Sequence, residues 1–147
     1  MTDSYTSSYM AQMARFHPQL WGRLDLVPTL APEISRAVLE YLLGLACQAT
    51  NDMPIALGRS SLVRLPREWL SVRIELAASS ALDLTDDWEY RRYLELCCFI
   101  DPDIGERVAE AGLASTNAHV REAAEDFKGC CADFASTHGG WIRDALA

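Results

Sequence analysis

Three histidines, five cysteines and several closely spaced carboxylates are the residues through which this chain could do chemistry. Their spacing decides how much. His17 stands before Pro18, His119 follows the polar turn Ser115–Asn117, and His138 sits in a Thr-His-Gly-Gly stretch. None has a Ser or Cys nucleophile in a recognisable elbow, and GxSxG, HExxH and glycine-rich phosphate loops do not occur. The cysteines fall at 47, 97, 98, 130 and 131, an odd count without a CxxC, so no spaced pairs converge on a metal. They read as reduced, structural thiols. Adjacent helical residues diverge by about 100°, so one thiol of each neighbouring pair is expected to point inward. Asp101 with Asp103, or Glu122 with Asp126, could perform acid–base work only in a pocket that drives their pKa values apart. Acids in a first helical turn, as Asp86, Asp87 and Asp103 are expected to be, are already explained by the helix dipole. The expectation is a protein without catalytic residues, metal or cofactor.

Charge distribution is more informative. The 147 residues suit one domain, and the net charge of −8 is unevenly spread. Residues 1–82 hold seven arginines and seven acids, whereas residues 83–147 hold six basic residues against fourteen acids. The whole excess therefore lies in the C-terminal part. A field of that sign repels nucleic acid and anionic membrane and speeds encounter with a basic protein. No window approaches the roughly 18 unbroken apolar residues of a membrane span. The first residues lack the basic head and apolar run of a secretion signal, so a cytoplasmic location is expected.

The elements that must carry these residues read as helices throughout, about seven of them. Clean alternation of apolar and polar residues is missing, as are Asn-Gly and Asp-Gly hairpin turns. Tyr9, Met10, Met13 and Phe16 stripe a first helix that stops at His17-Pro18. Pro18 opens a short second one toward Asp25, and Pro32 opens a long one to about Ala49. Asp52 is expected to cap a short helix from Pro54. From Pro66 to Leu82 apolar residues occupy nearly every position, including Trp69, Leu70, Val72, Ile74 and Leu76. That segment is expected to be the central, most completely buried helix, with Trp69 and Leu76 inside. Asp86 followed by Glu89 resembles a capping box for a helix through Ile100. Asp101-Pro102 starts another, which Gly112 is expected to end in the left-handed conformation. The last long helix presents Val120, Ala124, Phe127, Cys131 and Phe134 on one face and Glu122, Asp126 and Asp133, with Glu125 beside them, on the other.

Residues 84–92 and 113–122 are mutually similar, with Tyr90-Arg91 and Val120-Arg121 spaced 30 residues apart. Ser115–Phe127 (STNAHVREAAEDF) resembles the second helix of a HEAT-type repeat, which implies a short array of helical hairpins; an irregular bundle is the alternative. Residues 86–127 also resemble bacterial immunity proteins that accompany polymorphic toxins of contact-dependent or type VI secretion systems. That resemblance implies a single-domain, non-enzymatic inhibitor of a cognate toxin acting in the cytoplasm, with a basic nuclease as the expected target. A HEAT-like adaptor for another basic protein, or a small helical enzyme, are the competing readings.

Trp88 lies among Asp86, Asp87 and Glu89, where a solvated position rarely needs an indole. It either staples its helix to a neighbour or acts as an aromatic anchor in an acidic rim. The expected partner-binding set is therefore Asp86, Asp87, Trp88, Glu89, Asp103, Glu122, Glu125, Asp126 and Asp133.

Overall fold

Side-chain caps open four of the α-helices among the described residues, at Asp3, Asp86, Asp101 and Asn117. The computed structural model describes residues 3–147, and among these the regular structure is entirely helical. Asp3 accepts a hydrogen bond from Thr6 N–H and opens α1 (Ser4–Phe16), which buries Tyr9 and Met13. The segment after Pro18 forms two 3-10 turns, Leu20–Gly22 and Leu24–Thr29, rather than an α-helix. Pro32 stands at the start of α2 (Pro32–Gln48), as expected. Its buried stripe is Val38, Leu39, Leu42, Leu43, Ala46 and Cys47, while Ile34 stays outside. Asn51, not Asp52, is the cap residue of α3 (Asp52–Arg64). Gly58 lies against the α2 backbone so closely that an added Cβ would stand 2.6 Å from Ala46 N, so a glycine with poor helix propensity is kept for the packing of α2 on α3.

The Pro66–Leu82 segment departs most from expectation. It breaks at Val72-Arg73 into two short helices, α4 (Arg67–Ser71) and α5 (Ile74–Ala81). Only Leu70, Ile74, Ala77 and Ala78 of those helices are buried; Trp69 is half-buried, and Val72 and Leu76 are 76% and 70% exposed. The kink turns one apolar edge to solvent instead of wrapping it in neighbours.

The central helix is α6 (Asp87–Ile100), in which the run Leu96–Ile100 is buried without interruption. Cys97 and Cys98 are therefore both internal, contrary to the one-in, one-out expectation, because neighbours enclose this end of α6 on all sides. Asp101 joins α6 to α7 (Pro102–Gly112) and caps it through Asp103 N–H at 2.9 Å. Tyr90 near the start of α6 donates to the Val108 carbonyl near the end of α7 at 2.9 Å, so α7 runs back along α6. Gly112 does not take the left-handed conformation. It is small because a Cβ there would collide with the Tyr90 hydroxyl.

Asn117 caps α8 (Ala118–Phe127) through His119 N–H, and its side-chain amide donates to the Thr85 carbonyl at 2.9 Å. That bond ties the starts of α6 and α8 together. The expected long last helix is also broken. Lys128, Gly129 (φ +79°) and Cys130 form a turn before α9 (Cys131–His138), and α10 (Trp141–Leu146) packs against α3. Val120, Ala124, Phe127 and Cys131 are still buried across the break. All five cysteines are free, and of the 130/131 pair only Cys131 is inside. The molecule is a compact all-α bundle with α2 and α6 at its centre.

Candidate functional site

Side chains that an acidic binding surface needs are those the fold has not already used, and the expected set divides on that criterion. Asp86 is spent on its helix: its carboxylate accepts Glu89 N–H at 3.0 Å. Glu89 does not complete a reciprocal box. It reaches past Asp86 to accept Asp83 N–H at 2.7 Å, holding the loop before α6. Such a cap contributes about 1 kcal/mol, and both carboxylates are occupied by it. Asp126 pairs with Arg91 of α6 at 3.0 Å, an exposed bridge between two neighbouring helices. Glu122 meets only the His119 imidazole, at 3.7 Å. Asp87, Asp103, Glu125 and Asp133 are exposed and have no side-chain partner among the described residues.

Helix geometry sorts these residues into places. Asp87 lies one turn before Arg91, on the side of α6 that faces Asp126, so Asp87 and the α8 carboxylates Glu122, Glu125 and Asp126 border one surface. Asp133 does not share that helix face, since the Lys128–Cys130 turn separates α8 from α9. Asp103 belongs to the Arg107 stripe of α7, which turns toward Glu75 at 2.6 Å. Trp88 is on the other flank of α6. It is 51% exposed, with the Arg92 guanidinium stacked over its ring at 4.0 Å. Burial and then the nearby Arg59 charge hold Arg92 below its ordinary pKa, and Arg59 itself pairs with Glu95 at 2.8 Å. Trp88 is thus an exposed aromatic on a cationic neighbour, not the centre of the acidic surface.

One organising carboxylate escaped the sequence reading. Glu106 of α7 accepts Gly129 N–H at 2.7 Å and Cys131 N–H at 3.2 Å, with Lys128 Nζ 3.7 Å away. Its partial burial works to raise its pKa, but these donors outweigh that and leave it below the usual carboxylate value. Glu106 therefore fixes the turn that ends α8 and orients everything after it. The only advance sign was Gly129, a residue suited to positive φ; the acceptor lies 23 residues upstream and is invisible to local pattern.

The histidines sit in structural settings: His17 Nδ1 accepts Gln19 N–H at 3.2 Å, and His138 stacks on Phe134 at 4.7 Å. Burial raises the Cys47 thiol to about 12 and Cys98 to about 11, and pushes the Cys97 thiol up as well. Among the described residues, no three His, Cys, Asp or Glu side chains converge in a way that could hold a metal ion, and no helix is long and apolar enough to cross a membrane.

The fold is an all-α helical bundle whose excess of acids lies in residues 83–147. Compared with protein-family models, with curated proteins and with solved structures, the chain matches none of them.

Proposed function

We propose that the chain is a non-catalytic binding protein that engages a basic protein through the surface formed by the start of α6 and the outer face of α8, and that its role is that of an immunity protein neutralising a cognate toxin. The observation that carries this reading is the unspent charge. Glu122 and Glu125 are outward on α8, Asp87 borders them from α6, and residues 83–147 carry the entire excess of acids. Carboxylates committed to internal ion pairs contribute little to a partner; uncommitted ones on a rigid helix face attract and orient a cationic surface. A basic nuclease suits such a surface, because the acids would meet the same cationic cleft that otherwise holds phosphates. This reading places the protein in the cytoplasm, where such a toxin acts.

Immunity genes adjoin the genes of their toxins, so the experiment is co-expression with the product of the adjacent gene, followed by purification through a tag on this chain. A complex that survives at low salt, loosens at high salt and abolishes that protein's activity supports the proposal. Absence of a complex at low salt would overturn it.

A further inference from the structure

Val72 and Leu76 are the most exposed large apolar side chains among the described residues, and both line a single groove. The groove, of about 200 Å³, runs between the first turns of α2 and the α4–α5 kink, floored by Pro32, Leu39, Trp69 and Ala77. Adjoining exposed apolar side chains over a groove, unlike ones scattered singly, suit a contact surface. What it fits is decided by its rim. Arg36 is bonded to Glu40 at 3.2 Å and to Ser80 at 3.0 Å. Glu75, the residue before Leu76, lies outside the groove and is held by Arg107 at 2.6 Å. Arg73 lies over the Trp69 ring at 4.9 Å and donates to the Trp69 carbonyl at 3.0 Å. Both arginines that line the groove are held by groups of their own chain, Arg36 by Glu40 and Arg73 by the ring and carbonyl of Trp69, and the groove presents no carboxylate.

We infer that this face docks a second copy of the chain, forming a two-fold dimer. The charge distribution argues for that occupant. Each copy carries −8, all of it in residues 83–147, whereas residues 1–82 are balanced. Two copies meeting through α6 and α8 would bring like charges together; meeting through α2, α4 and α5 brings neutral surfaces together and leaves both acidic faces outside. A two-fold contact uses the same patch on both partners, so the Leu76 and Val72 of each copy enter the groove of the other. The outward Ser79 and Ser80 of α5 are small enough to let the backbones approach. A standard interface needs about 800 Å² per partner, a tenth of this chain's 7932 Å².

Salt separates this contact from the binding proposed above. Screening weakens repulsion between two acidic chains, so dimerisation should strengthen as salt rises, the opposite of the response of an acid–base complex. Sedimentation of the full chain over a wide concentration range, at low and high salt, tests it. The wild type should show a monomer–dimer equilibrium whose dissociation constant falls with salt. Leu76→Asp, and separately Val72→Lys at the kink, should each weaken association by about tenfold or more, with helical content unchanged since both side chains face solvent in the monomer. Glu122→Lys with Glu125→Lys should leave the dimer intact. A wild type that stays monomeric at high salt, open-ended larger species in place of a dimer, or a dimer indifferent to both substitutions would overturn the inference. None of these results bears on the acidic face, which uses other residues.

Discussion

The α4–α5 face and the α8 face are built alike, as short helices with one side packed inward and a few positions left outside, yet those outer positions carry opposite chemistry. On α5 the outward side includes Leu76 beside Val72 at the kink; on α8 it is Glu122, Glu125 and Asp126. Around α5 two pairs of charges close on one another within the chain, Arg36–Glu40 and Arg107–Glu75, and Arg73 lies over the Trp69 ring. On α8 only Asp126 is answered by an arginine. A surface with satisfied charges and bare apolar groups gains by excluding water, whereas one with unsatisfied charges gains by attracting a counter-charge. The same bundle thus presents apolar and acidic outer positions on different helices, with α2 and α6 packed between α5 and α8.

Damage to the core beneath both faces should have the largest effect. Leu94 is completely buried in α6, so Leu94→Ala should cost about 2–5 kcal/mol in denaturant unfolding and loosen both faces. Leu76→Ala, the same deletion on an exposed side chain, should change monomer stability by no more than about 0.5 kcal/mol. Similar losses from the two would mean that α5 packs as the sequence pattern implies and that its exposed edge is not real.

That contrast also shows where sequence reading fails. Helix starts were legible at Pro32, Asp86, Asp101 and the polar turn Ser115–Asn117, because start signals involve only three or four neighbouring residues. The two breaks were not, since apolar periodicity continues through a kink when the chain re-enters in register. Val120, Ala124, Phe127 and Cys131 keep one buried stripe across the turn at Gly129. At Val72-Arg73 neither glycine nor proline marks the break, and the burial of nearby Leu70 and Ile74 hides the exposure of Val72 and Leu76. Of the candidate site, the residue types and their half of the chain were legible. Which carboxylates are free was not, because Arg91–Asp126 and Glu89–Asp83 depend on tertiary neighbours or on a loop's course.

Glu106 sharpens the acidic side of the comparison. Its folded pKa lies below that of the unfolded chain, so the stabilisation it gives is present above the unfolded value of about 4.3 and is lost as pH falls through the lower folded value. Glu106→Ala should cost about 1–3 kcal/mol at neutral pH, and its stability should converge with that of the wild type in acid. A gap that persists in acid would show that the carboxylate does not hold the α8–α9 turn by charge. The smallest effect concerns the thiols. Cys130 is exposed while the other four are buried, so an alkylating reagent should modify one cysteine in the native protein and all five after unfolding.

The proposed interface depends on the uncommitted acids of α8 being what a partner reads. The direct measurement is the affinity of the adjacent gene's product for the wild type and for Glu122→Lys with Glu125→Lys, each titrated across a range of salt concentrations. Both positions face solvent, so the double variant should fold normally. The wild type should bind more weakly as salt rises, and the variant should lose about 2–5 kcal/mol at low salt, if the acids are desolvated in the contact, with a flatter salt dependence. Equal affinity and an equal salt slope for the two proteins would contradict the assignment of this face.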